Sequence, residues 1–377
     1  MAHAHKREAA RSAVKSIAIA GGGTGGHVFP ALAVAEEIAR LTPAPLFWIG
    51  SSKGMERAIV EGAGIEFKGI PAGKLRRYMS LQNLTDVFRT AAGIVSSFFT
   101  MARRRPAVLF SKGGYVSVPP IIAASLLRIP SFTHESDCDP GLATRINLRF
   151  CEKIFVSFPE TLEYLPAAFR GKAEVTGNPV RSDFSRGNPE EGRRFVGCPS
   201  GRPIVLVLGG SLGSSAINNL VSDALPALLA SCFVVHQTGP KEFAPSGRTG
   251  YYTAAFFREE LPHVMAAADL VVGRSGANAL AELAALGKPS VLIPLPQGGT
   301  SRGDQIRNAE YFRARGAALV LDQEDATGEK LSGIIAGLLE DTPRLRSMGL
   351  AARALSGENS AETIARRIVA RLEAETR

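Results

Sequence analysis

The residues best suited to chemistry form a glycine loop followed directly by a histidine. Residues 21–26 read GGGTGG, they follow the apolar run Ile17–Ala20, and His27 comes next. Glycines at this spacing let backbone N–H groups approach a diphosphate at the start of a helix. The loop also satisfies the dinucleotide fingerprint, but the second strand ends in Gly50-Ser51-Ser52, without the acid that a nicotinamide enzyme uses to hold ribose. We therefore predict a diphosphate site and disfavour a dehydrogenase.

A second group of candidate residues lies in the other half of the chain. Arg274-Ser275-Gly276-Ala277-Asn278 ends an apolar run and opens a helical pattern, which offers N–H groups and a positive dipole to a phosphate. Glu282 lies four residues after Asn278 on the same helix face, where its carboxylate can accept both hydroxyls of a ribose. The polar segment 303–309 follows the next strand and suits the reading of sugar hydroxyls. This half predicts a nucleotide-sugar site.

Alternating apolar runs and helical patterns must position these residues. Continuous apolar strands that are followed by glycine turns and helices are typical of parallel sheets covered on both faces. The predicted strands are Ile17–Ala20, Leu46–Ile49, Val108–Phe110, Ser131–His134, Lys153–Val156, Ile204–Leu208, Phe233–His236, Leu270–Val272, Ser290–Ile293 and Ala318–Leu321. Helices are predicted at Pro30–Arg40, Ala277–Leu286 and about 361–375. The pattern predicts an α/β protein with two doubly wound, Rossmann-like domains.

The length of 377 residues also suits two domains. We expect a disordered extension at 1–14, a first domain at 15–180, and a second domain at 181–360. A hinge is expected at Gly177–Arg181, and the helix at about 361–377 is expected to return to the first domain. A ligand should bind in a cleft faced by the carboxyl ends of both sheets.

Composition narrows the class of protein and its partners. The four cysteines are scattered without a CxxC motif, which fits a reducing compartment and argues against structural zinc. No apolar run reaches the roughly 20 residues that span a bilayer, and the charged start does not resemble a signal peptide. The net charge of +9 implies an anionic partner. Nucleic acid is disfavoured because no helix-turn-helix, RNA-binding aromatic signature or zinc finger is present.

From about Lys15 onward the chain resembles the MurG family of inverting glycosyltransferases, which have the two-domain GT-B fold. The motifs that carry the resemblance, in chain order, are Gly22–Pro30, Gly113–Ser117, His134-Glu135, Gly177–Arg181, Gly209–Ser211, Arg274–Ala277 and Asp304-Gln305. The resemblance implies transfer of GlcNAc from UDP-GlcNAc to lipid I, undecaprenyl-diphospho-MurNAc-pentapeptide. The product would be lipid II for peptidoglycan synthesis, cell wall biogenesis, cell shape and cell division.

The resemblance also implies a role for each domain and each motif. The first domain would bind the acceptor and the membrane, and the second would bind UDP-GlcNAc. No cofactor is expected. The enzyme would be peripheral, at the cytoplasmic face of the inner membrane, with other cell-wall synthesis proteins as further partners. The implied substrate-binding residues are Thr24, Gly25 and Gly26 for the acceptor diphosphate, Asp137 near the sugar, Arg181 and Ser211 for the nucleotide, the backbone of Phe257 and Arg258 for uracil, Ala277, Asn278 and Glu282 for diphosphate and ribose, and Asp304 and Gln305 for GlcNAc.

Two positions depart from the family pattern. Arg258 stands where the family has an aliphatic residue, a change that is tolerable if only the main chain is used. The family often reads His-Glu-Gln-Asn where this chain reads His134-Glu135-Ser136-Asp137. An acid, Asp137, therefore replaces an amide that usually contacts the sugar region.

An inverting transfer requires a base for the acceptor hydroxyl and stabilisation for the departing UDP. His27 is the leading candidate base because its ordinary pKa lies near working pH, and Glu135 is the rival. Arg181 and the helix start at Ser275 would stabilise the leaving group. No metal is expected, although Asp137-Cys138-Asp139 resembles the metal-binding motif of the other large glycosyltransferase fold.

Membrane contact is predicted at the basic and apolar segment 74–81. Its candidate contact residues are Leu75, Arg76, Arg77, Tyr78, Met79 and Leu81. The helical apolar stripe that follows, from Val87 to Ala102, is more typical of a core than of a membrane face. An anionic inner-membrane surface would attract the basic side chains.

Two other functions remain as alternatives. One is a GT-B transferase with a different lipid or sugar. The other is a UDP-GlcNAc 2-epimerase, which has a similar two-domain shape but needs neither an acceptor nor a membrane-facing loop. Dependence on a lipid acceptor separates the transferase from the epimerase.

Overall fold

A computed structural model describes residues 15–74, 81–298, 301–357 and 359–376. The predicted extension at 1–14 and the predicted membrane contacts Leu75–Met79 lie outside the described residues. The chain divides into two compact units. The first comprises Met1–Ser136, Pro140–Pro179 and Glu358–Arg377, and the second comprises Asp137–Asp139 and Val180–Gly357.

Within the described residues, seven parallel strands of the first unit form one sheet in the order β3-β2-β1-β4-β5-β6-β7. They are β1 (Ile17–Ala20), β2 (Leu46–Ser51), β3 (Glu66–Ile70), β4 (Val108–Ser111), β5 (Ser131–Glu135), β6 (Lys153–Val156) and β7 (Ala173–Val175). β1 pairs with both β2 and β4, so the glycine loop after β1 lies at the point where the strand order reverses. Such a position is where open α/β sheets bind ligands.

The second unit repeats this design with six parallel strands among the described residues, in the order β10-β9-β8-β11-β12-β13. They are β8 (Ile204–Leu208), β9 (Phe233–Gln237), β10 (Tyr251–Ala254), β11 (Leu270–Gly273), β12 (Ser290–Leu292) and β13 (Ala318–Val320). β8 lies between β9 and β11, so its glycine loop again follows the strand at the reversal. The prediction of two doubly wound, Rossmann-like domains is confirmed.

Helices connect the strands and cover the sheets. Those of the first unit are α1 (Gly25–Leu41), α2 (Glu56–Gly62), α3 (Leu81–Arg104), α4 (Val118–Leu126), α5 (Leu142–Asn147), α6 (Thr161–Tyr164) and α7 (Ala167–Arg170). Those that follow are α8 (Pro189–Phe195), α9 (Ser215–Ser231), α10 (Leu261–Ala267), α11 (Ala277–Leu286), α12 (Asp304–Ala314), α13 (Gly328–Glu340), α14 (Thr342–Leu355) and α15 (Ser360–Thr376). Short 3₁₀ turns lie at Tyr115–Ser117 and Ser182–Arg186. No helix of the described residues is both long and apolar enough to cross a bilayer.

The last helix belongs to the first unit, as predicted. Ile364, Ile368 and Leu372 of α15 are buried in the same apolar cluster as Ile38 of α1 and Trp48 of β2. Burial of each such side chain contributes roughly 1.5–3 kcal/mol. The first unit is therefore closed by residues from the far end of the described chain.

The predicted apolar stripe of α3 divides between core and surface. Met101 is fully buried and Phe98 packs against the same apolar cluster, as predicted, whereas Val87 and Val95 are exposed. Phe88 and Phe99 are each 67% exposed, and Leu84, Val87 and Val95 are exposed with them. The opposite face is buried, with the polar side chains Asp86 and Ser97 beside Met101. Gly93 on that face lies directly against the Pro71 carbonyl and the Pro119 ring. Close backbone packing decides which face turns inward, so Leu84, Phe88 and Phe99 are left on the surface together with Val87 and Val95.

Candidate active site

The glycine loop after β1 is shaped by a buried carboxylate, Glu56. Glu56 at the start of α2 is fully buried and accepts hydrogen bonds from the backbone N–H groups of Ser51 (2.7 Å) and Gly23 (3.3 Å). A side chain at Gly22 would collide with this carboxylate. Part of the glycine content therefore serves packing against Glu56. The acid that sequence reasoning sought at the end of β2 lies a few residues later, and it binds the loop backbone.

His27 lies in the first turn of α1, directly after the glycine loop. Its ring packs on Gly114, where an added Cβ would lie 2.8 Å from the ring Cδ2. Its Nδ1 is buried and has no hydrogen-bond partner among the described residues. Burial, and to a smaller extent the Lys112 ammonium, lower the pKa of His27 to about 4. The imidazole is therefore neutral at neutral pH, with an unpartnered nitrogen beside the loop.

Lys112 is a residue of this region that sequence reasoning missed. It follows β4, is only 1% exposed, and donates a hydrogen bond from Nζ to the Ser136 hydroxyl. Its backbone N–H is bonded to the carbonyl of Ala20, at the end of β1. A buried ammonium beside His27 favours the neutral imidazole. The SKGGYVS segment carried a signal, a lysine at the end of an apolar strand, but its burial is visible only in the fold.

Glu135, the rival base, is buried at the end of β5 and is held by its own loop. One carboxylate oxygen accepts from the Ser136 N–H (2.9 Å), and the other accepts from the Gly141 N–H (2.9 Å) and the Thr144 hydroxyl (2.6 Å). These hydrogen bonds fix the turn that leads to α5. The contacts suit a group that shapes a loop better than one that takes up a proton.

Asp137, the acid that replaces a family amide, is paired within the second unit. Its carboxylate lies 3.3 Å from the Arg302 guanidinium and accepts a hydrogen bond from the Asn308 amide (3.1 Å). Asp139 is paired with Arg307 at 3.2 Å. Both carboxylates of the Asp-x-Asp motif thus form ion pairs with arginines. The described residues hold no cluster of three or more His, Cys, Asp or Glu side chains arranged for a metal ion.

The start of α11 brings together several predicted donor-binding residues. Ala277 and Asn278 form its first turn, and the N-cap residue, Gly276, makes no side-chain hydrogen bond. Glu282 lies one turn later, near Arg181. Burial raises the pKa of Glu282 to about 7, and the attraction of Arg181 opposes this shift. Arg181 is itself paired with Asp183 at 3.3 Å and lies over the Phe184 ring. A cation, a carboxylate and a helix N-terminus thus form one candidate nucleotide site.

The first turn of α12 is hydrogen-bonded to the segment that precedes α11. The fully buried Ser275 donates its hydroxyl to the backbone carbonyl of Gln305 (2.8 Å). The Gln305 side-chain oxygen accepts from the Leu295 N–H (3.1 Å), which leaves its amide NH₂ to donate. Asp304, the first residue of α12, lies 3.8 Å from the Arg302 guanidinium. These contacts place Gln305 beside the predicted phosphate site with hydrogen-bond donors to offer.

The remaining predicted donor residues lie on two loops at the carboxyl ends of β8 and β10. Ser211 is exposed in the glycine loop after β8, where Gly210 and Gly213 have positive φ angles of 96° and 80°. The Phe257 N–H already donates to the side-chain oxygen of Gln237 (2.8 Å), and the Arg258 N–H donates to Glu260 (3.0 Å). A uracil held here would use the Phe257 carbonyl or displace the exposed Glu260 contact.

Comparison of the sequence with known proteins identifies the family to which the chain belongs. The model of the glycosyltransferase family 28 N-terminal domain matches residues 17–156, and that of the family 28 C-terminal domain matches residues 204–368. A protein of Treponema denticola is 45% identical over 378 residues, which cover 93% of this chain and 96% of that protein. Its name is UDP-N-acetylglucosamine--N-acetylmuramyl-(pentapeptide) pyrophosphoryl-undecaprenol N-acetylglucosamine transferase. The chain belongs to the MurG family of glycosyltransferases.

Other members and structures agree with this membership. A family member from Clostridium tetani is 40% identical, and the match covers 82% of this chain and 86% of that protein. The crystal structure of Acinetobacter baumannii MurG superposes with a TM-score of 0.73 at 26% identity, over 94% of this chain and 99% of that one. UDP-GlcNAc 2-epimerase from Neisseria meningitidis has a TM-score of 0.67 at 14% identity, over 94% and 99% of the two chains. The similarity to the epimerase, at 14% identity, shows a shared fold alone.

Proposed function

We propose that the chain transfers GlcNAc from UDP-GlcNAc to the lipid-linked acceptor undecaprenyl-diphospho-MurNAc-pentapeptide. The observation that carries this proposal is the identity of 45% to a transferase of that name, over 93% of the chain and across both units. The epimerase alternative rests only on a shared fold and is not favoured. Both candidate sites in the two units support a transferase, since one suits a nucleotide sugar and the other an acceptor diphosphate.

The proposed reaction is a direct displacement at the anomeric carbon of GlcNAc. The acceptor oxygen forms a bond to this carbon, and the bond from the carbon to the UDP oxygen breaks. His27 takes the acceptor proton, and Thr24, Gly25 and Gly26 hold the acceptor diphosphate at the start of α1. The negative charge of departing UDP is stabilised by Arg181 and the start of α11. Glu282 and Gln305 hold the ribose and the GlcNAc hydroxyls.

A single assay tests the reaction. The purified chain is incubated with UDP-GlcNAc and the lipid-linked acceptor, and the lipid products are separated by mass. A product heavier than the acceptor by one GlcNAc residue, formed together with one equivalent of UDP, is expected. Conversion of UDP-GlcNAc to its 2-epimer without acceptor, and no glycosylated lipid with it, would replace the proposal with the epimerase.

We expect full transferase activity in excess EDTA. Arg181 and the N-terminal dipole of α11 supply the positive charge that a metal would otherwise place on the donor diphosphate. The Asp137 and Asp139 carboxylates are paired with Arg302 and Arg307. Initial rates are compared with and without chelator after removal of divalent ions. Loss of turnover that Mg²⁺ or Mn²⁺ restores would contradict this donor site.

We further propose that the exposed face of α3 contacts an anionic membrane surface. Leu84, Val87, Phe88, Val95 and Phe99 repeat at helical spacing and form one apolar stripe on the surface of the first unit. A contiguous exposed stripe of this kind marks an interaction surface. Basic side chains accompany it, because Arg89 and Arg103 are exposed on the same helix. An apolar face flanked by basic groups is the pattern of helices that lie in the plane of an anionic bilayer surface.

This assignment extends the predicted membrane contact, whose residue Leu81 is the first of α3. It also fits a peripheral enzyme at the cytoplasmic face of the inner membrane, where a lipid-linked acceptor would be reached. The acceptor-binding role of the first unit and the donor-binding role of the second follow from the same proposal.

Replacing Phe88 and Phe99 with serine is expected to weaken binding to anionic vesicles by about tenfold for each residue. Each substitution removes an aromatic side chain worth roughly 1.5–3 kcal/mol when buried, only part of which is realised at an interface. Sedimentation with phosphatidylglycerol vesicles measures the change, and UDP binding should stay unchanged. Leu350→Ser, at a side chain 65% exposed on the second unit, is the matched control. Equal sedimentation of the double variant and the wild type would refute the proposed surface.

A further inference from the structure

Two loops of the second unit approach each other more closely than any side chain would allow. The glycine loop after β8 contains Gly213, and the loop after β9 contains Gly239. A Cβ on Gly213 would lie 2.2 Å from the Thr238 carbonyl oxygen, and one on Gly239 would lie 2.6 Å from the Gly213 Cα. Both glycines have positive φ angles, 80° and 88°. The backbones of the two loops are therefore in direct contact.

Gln237, the last residue of β9, links these loops to a third. Its side chain is only 4% exposed, and its Nε2 donates to the Gly210 carbonyl oxygen (3.1 Å) in the glycine loop. Its Oε1 accepts from the Phe257 N–H (2.8 Å) in the loop after β10. The amide orientation is fixed chemically, because a backbone N–H can only donate and a carbonyl can only accept. One buried side chain thus bridges the loops that follow β8 and β10.

The loop held by Gln237 is anchored from its other side as well. The Phe257 ring stacks on Tyr252 of β10, with ring centroids 6.3 Å apart and planes 16° apart. Phe195 of α8 packs edge-on against Phe257 at 6.4 Å. The ring is thus fixed by aromatic contacts and the backbone N–H by Gln237. The position of the Phe257 carbonyl is therefore determined before any ligand binds.

We propose that Gln237 is a positioning residue that fixes the spacing between two loops of the donor site. One is the loop after β10, which holds the base, and the other is the glycine loop after β8, whose Ser211 we assign to the phosphate end of the nucleotide. This inference rests on the proposed function, in which Phe257 and Arg258 hold the uracil and Ser211 contacts the nucleotide. A ligand that spans both loops gains affinity when the loops are already at the right spacing, because less ordering is needed on binding. A ligand that contacts only one of the two loops gains less affinity from this fixed spacing.

Two substitutions separate the two hydrogen bonds of Gln237. Gln237→Glu keeps an oxygen for the Phe257 N–H but loses the donor to Gly210. Gln237→Met has similar size and loses both bonds. Calorimetry with uridine, which lacks the diphosphate, and with UDP measures how each half of the ligand is held. Val235→Ala, on the same strand in the buried core, is the control for general loss of stability.

For Gln237→Met we expect weaker binding of both ligands, by about tenfold for UDP, as two neutral hydrogen bonds predict. For Gln237→Glu we expect uridine affinity within about twofold of wild type and UDP affinity about tenfold weaker. In turnover, both variants should raise the KM for UDP-GlcNAc and leave kcat at saturating donor nearly unchanged. Val235→Ala should lower the melting temperature while keeping the ratio of UDP to uridine affinity.

Three outcomes would overturn the inference. Wild-type affinities in Gln237→Met would show that the bridge does not act on the donor site. Equal loss of uridine and UDP binding in Gln237→Glu, in proportion to its loss of melting temperature, would show a purely structural role. Failure of the wild-type protein to bind UDP would overturn the donor site itself, and with it both proposals.

Discussion

Replacing His27 with alanine is expected to lower kcat by roughly 10²–10⁴-fold, because the acceptor hydroxyl loses the group that takes its proton. The structure supports this choice through the buried Nδ1 of His27, which makes no hydrogen bond among the described residues. Glu135 is less suited to the role because both of its oxygens already accept hydrogen bonds. His27→Gln tests the role further, since glutamine can hydrogen-bond the acceptor but cannot take up a proton.

The pH dependence gives an independent test of His27. The neutral imidazole is the form that accepts a proton, and burial lowers the pKa of His27 from 6.5 to about 4. The value of kcat/KM should therefore persist as pH falls through 6.5 and should decline only towards about 4. The acid limb of kcat should lie at higher pH, because a bound anionic diphosphate stabilises the imidazolium.

Steady-state rates at saturating donor and acceptor measure the His27 effect. His263→Ala is the matched control, because His263 lies in the second unit with its Nδ1 accepting from the Asn188 N–H (3.1 Å). It should keep wild-type kcat. Near-normal turnover in both His27 variants would transfer the role of base to Glu135 or to water.

Replacing Glu282 with alanine is expected to weaken UDP and UDP-GlcNAc binding alike, by about 10–100-fold, while the fold stays intact. The carboxylate accepts two ribose hydroxyls in the proposed complex, and hydrogen bonds to a charged group contribute roughly 1.5–3 kcal/mol. Both ligands carry the same ribose, so the loss should be common to them. Calorimetry measures both affinities, and unchanged UDP affinity would remove Glu282 from the site.

The raised pKa of Glu282 adds a prediction about pH. Only the ionised carboxylate accepts both hydroxyls, and burial raises the pKa of Glu282 to about 7 in the unliganded protein. Affinity should therefore be highest above this pKa and should fall by up to about tenfold for each pH unit below it. UDP-GlcNAc is the ligand of choice because its diphosphate does not titrate near neutral pH. Glu282→Gln should bind weakly with little pH dependence, and Glu310→Gln, at an exposed residue of α12, should behave as wild type.

The central strands could be predicted from the sequence, whereas three edge strands, β3, β7 and β10, could not. β1 and β8 are buried on both faces, so they appear as continuous apolar runs before glycine turns. β3 contains Glu66 and Lys68, and β7 is a short strand with Glu174 at its centre. β10 is partly exposed along its whole length. Strands at the margin of a sheet need fewer apolar residues, so they leave a weaker pattern.

Helix periodicity predicted the apolar stripe of α3 and the burial of Met101, but not that Val87 and Val95 lie on the surface. A spacing of three and four residues identifies a stripe, and the same stripe can face a core or a surface. The direction is decided by Gly93, whose backbone fits against Pro71 and Pro119 where a larger residue would not. Such contacts between segments distant in the chain are not visible in a local pattern.

The candidate site shows the same contrast between residues that a local pattern indicates and residues whose role depends on the fold. Residue type and spacing single out the glycine loops, His27 and Glu282 as candidates, because phosphate and ribose binding constrain both. Glu56 and Gln237 were not found, because each binds the backbone of another loop. The role of each side chain depends on which main-chain groups the fold brings within hydrogen-bonding distance. The local spacing of residues in the sequence does not predict these contacts.

The contribution of α15 to the first unit affects the order in which the protein can mature during synthesis. The apolar cluster around Ile38 and Trp48 includes Ile364 and Leu372, which are translated near the end of the described chain. Until those residues leave the ribosome, part of the surface of α1 has no cover and is exposed to chaperones or to aggregation. The second unit, by contrast, draws nearly all of its residues from Val180–Gly357 and can close without waiting. The half that is translated first thus cannot complete its core until the last helix has been made.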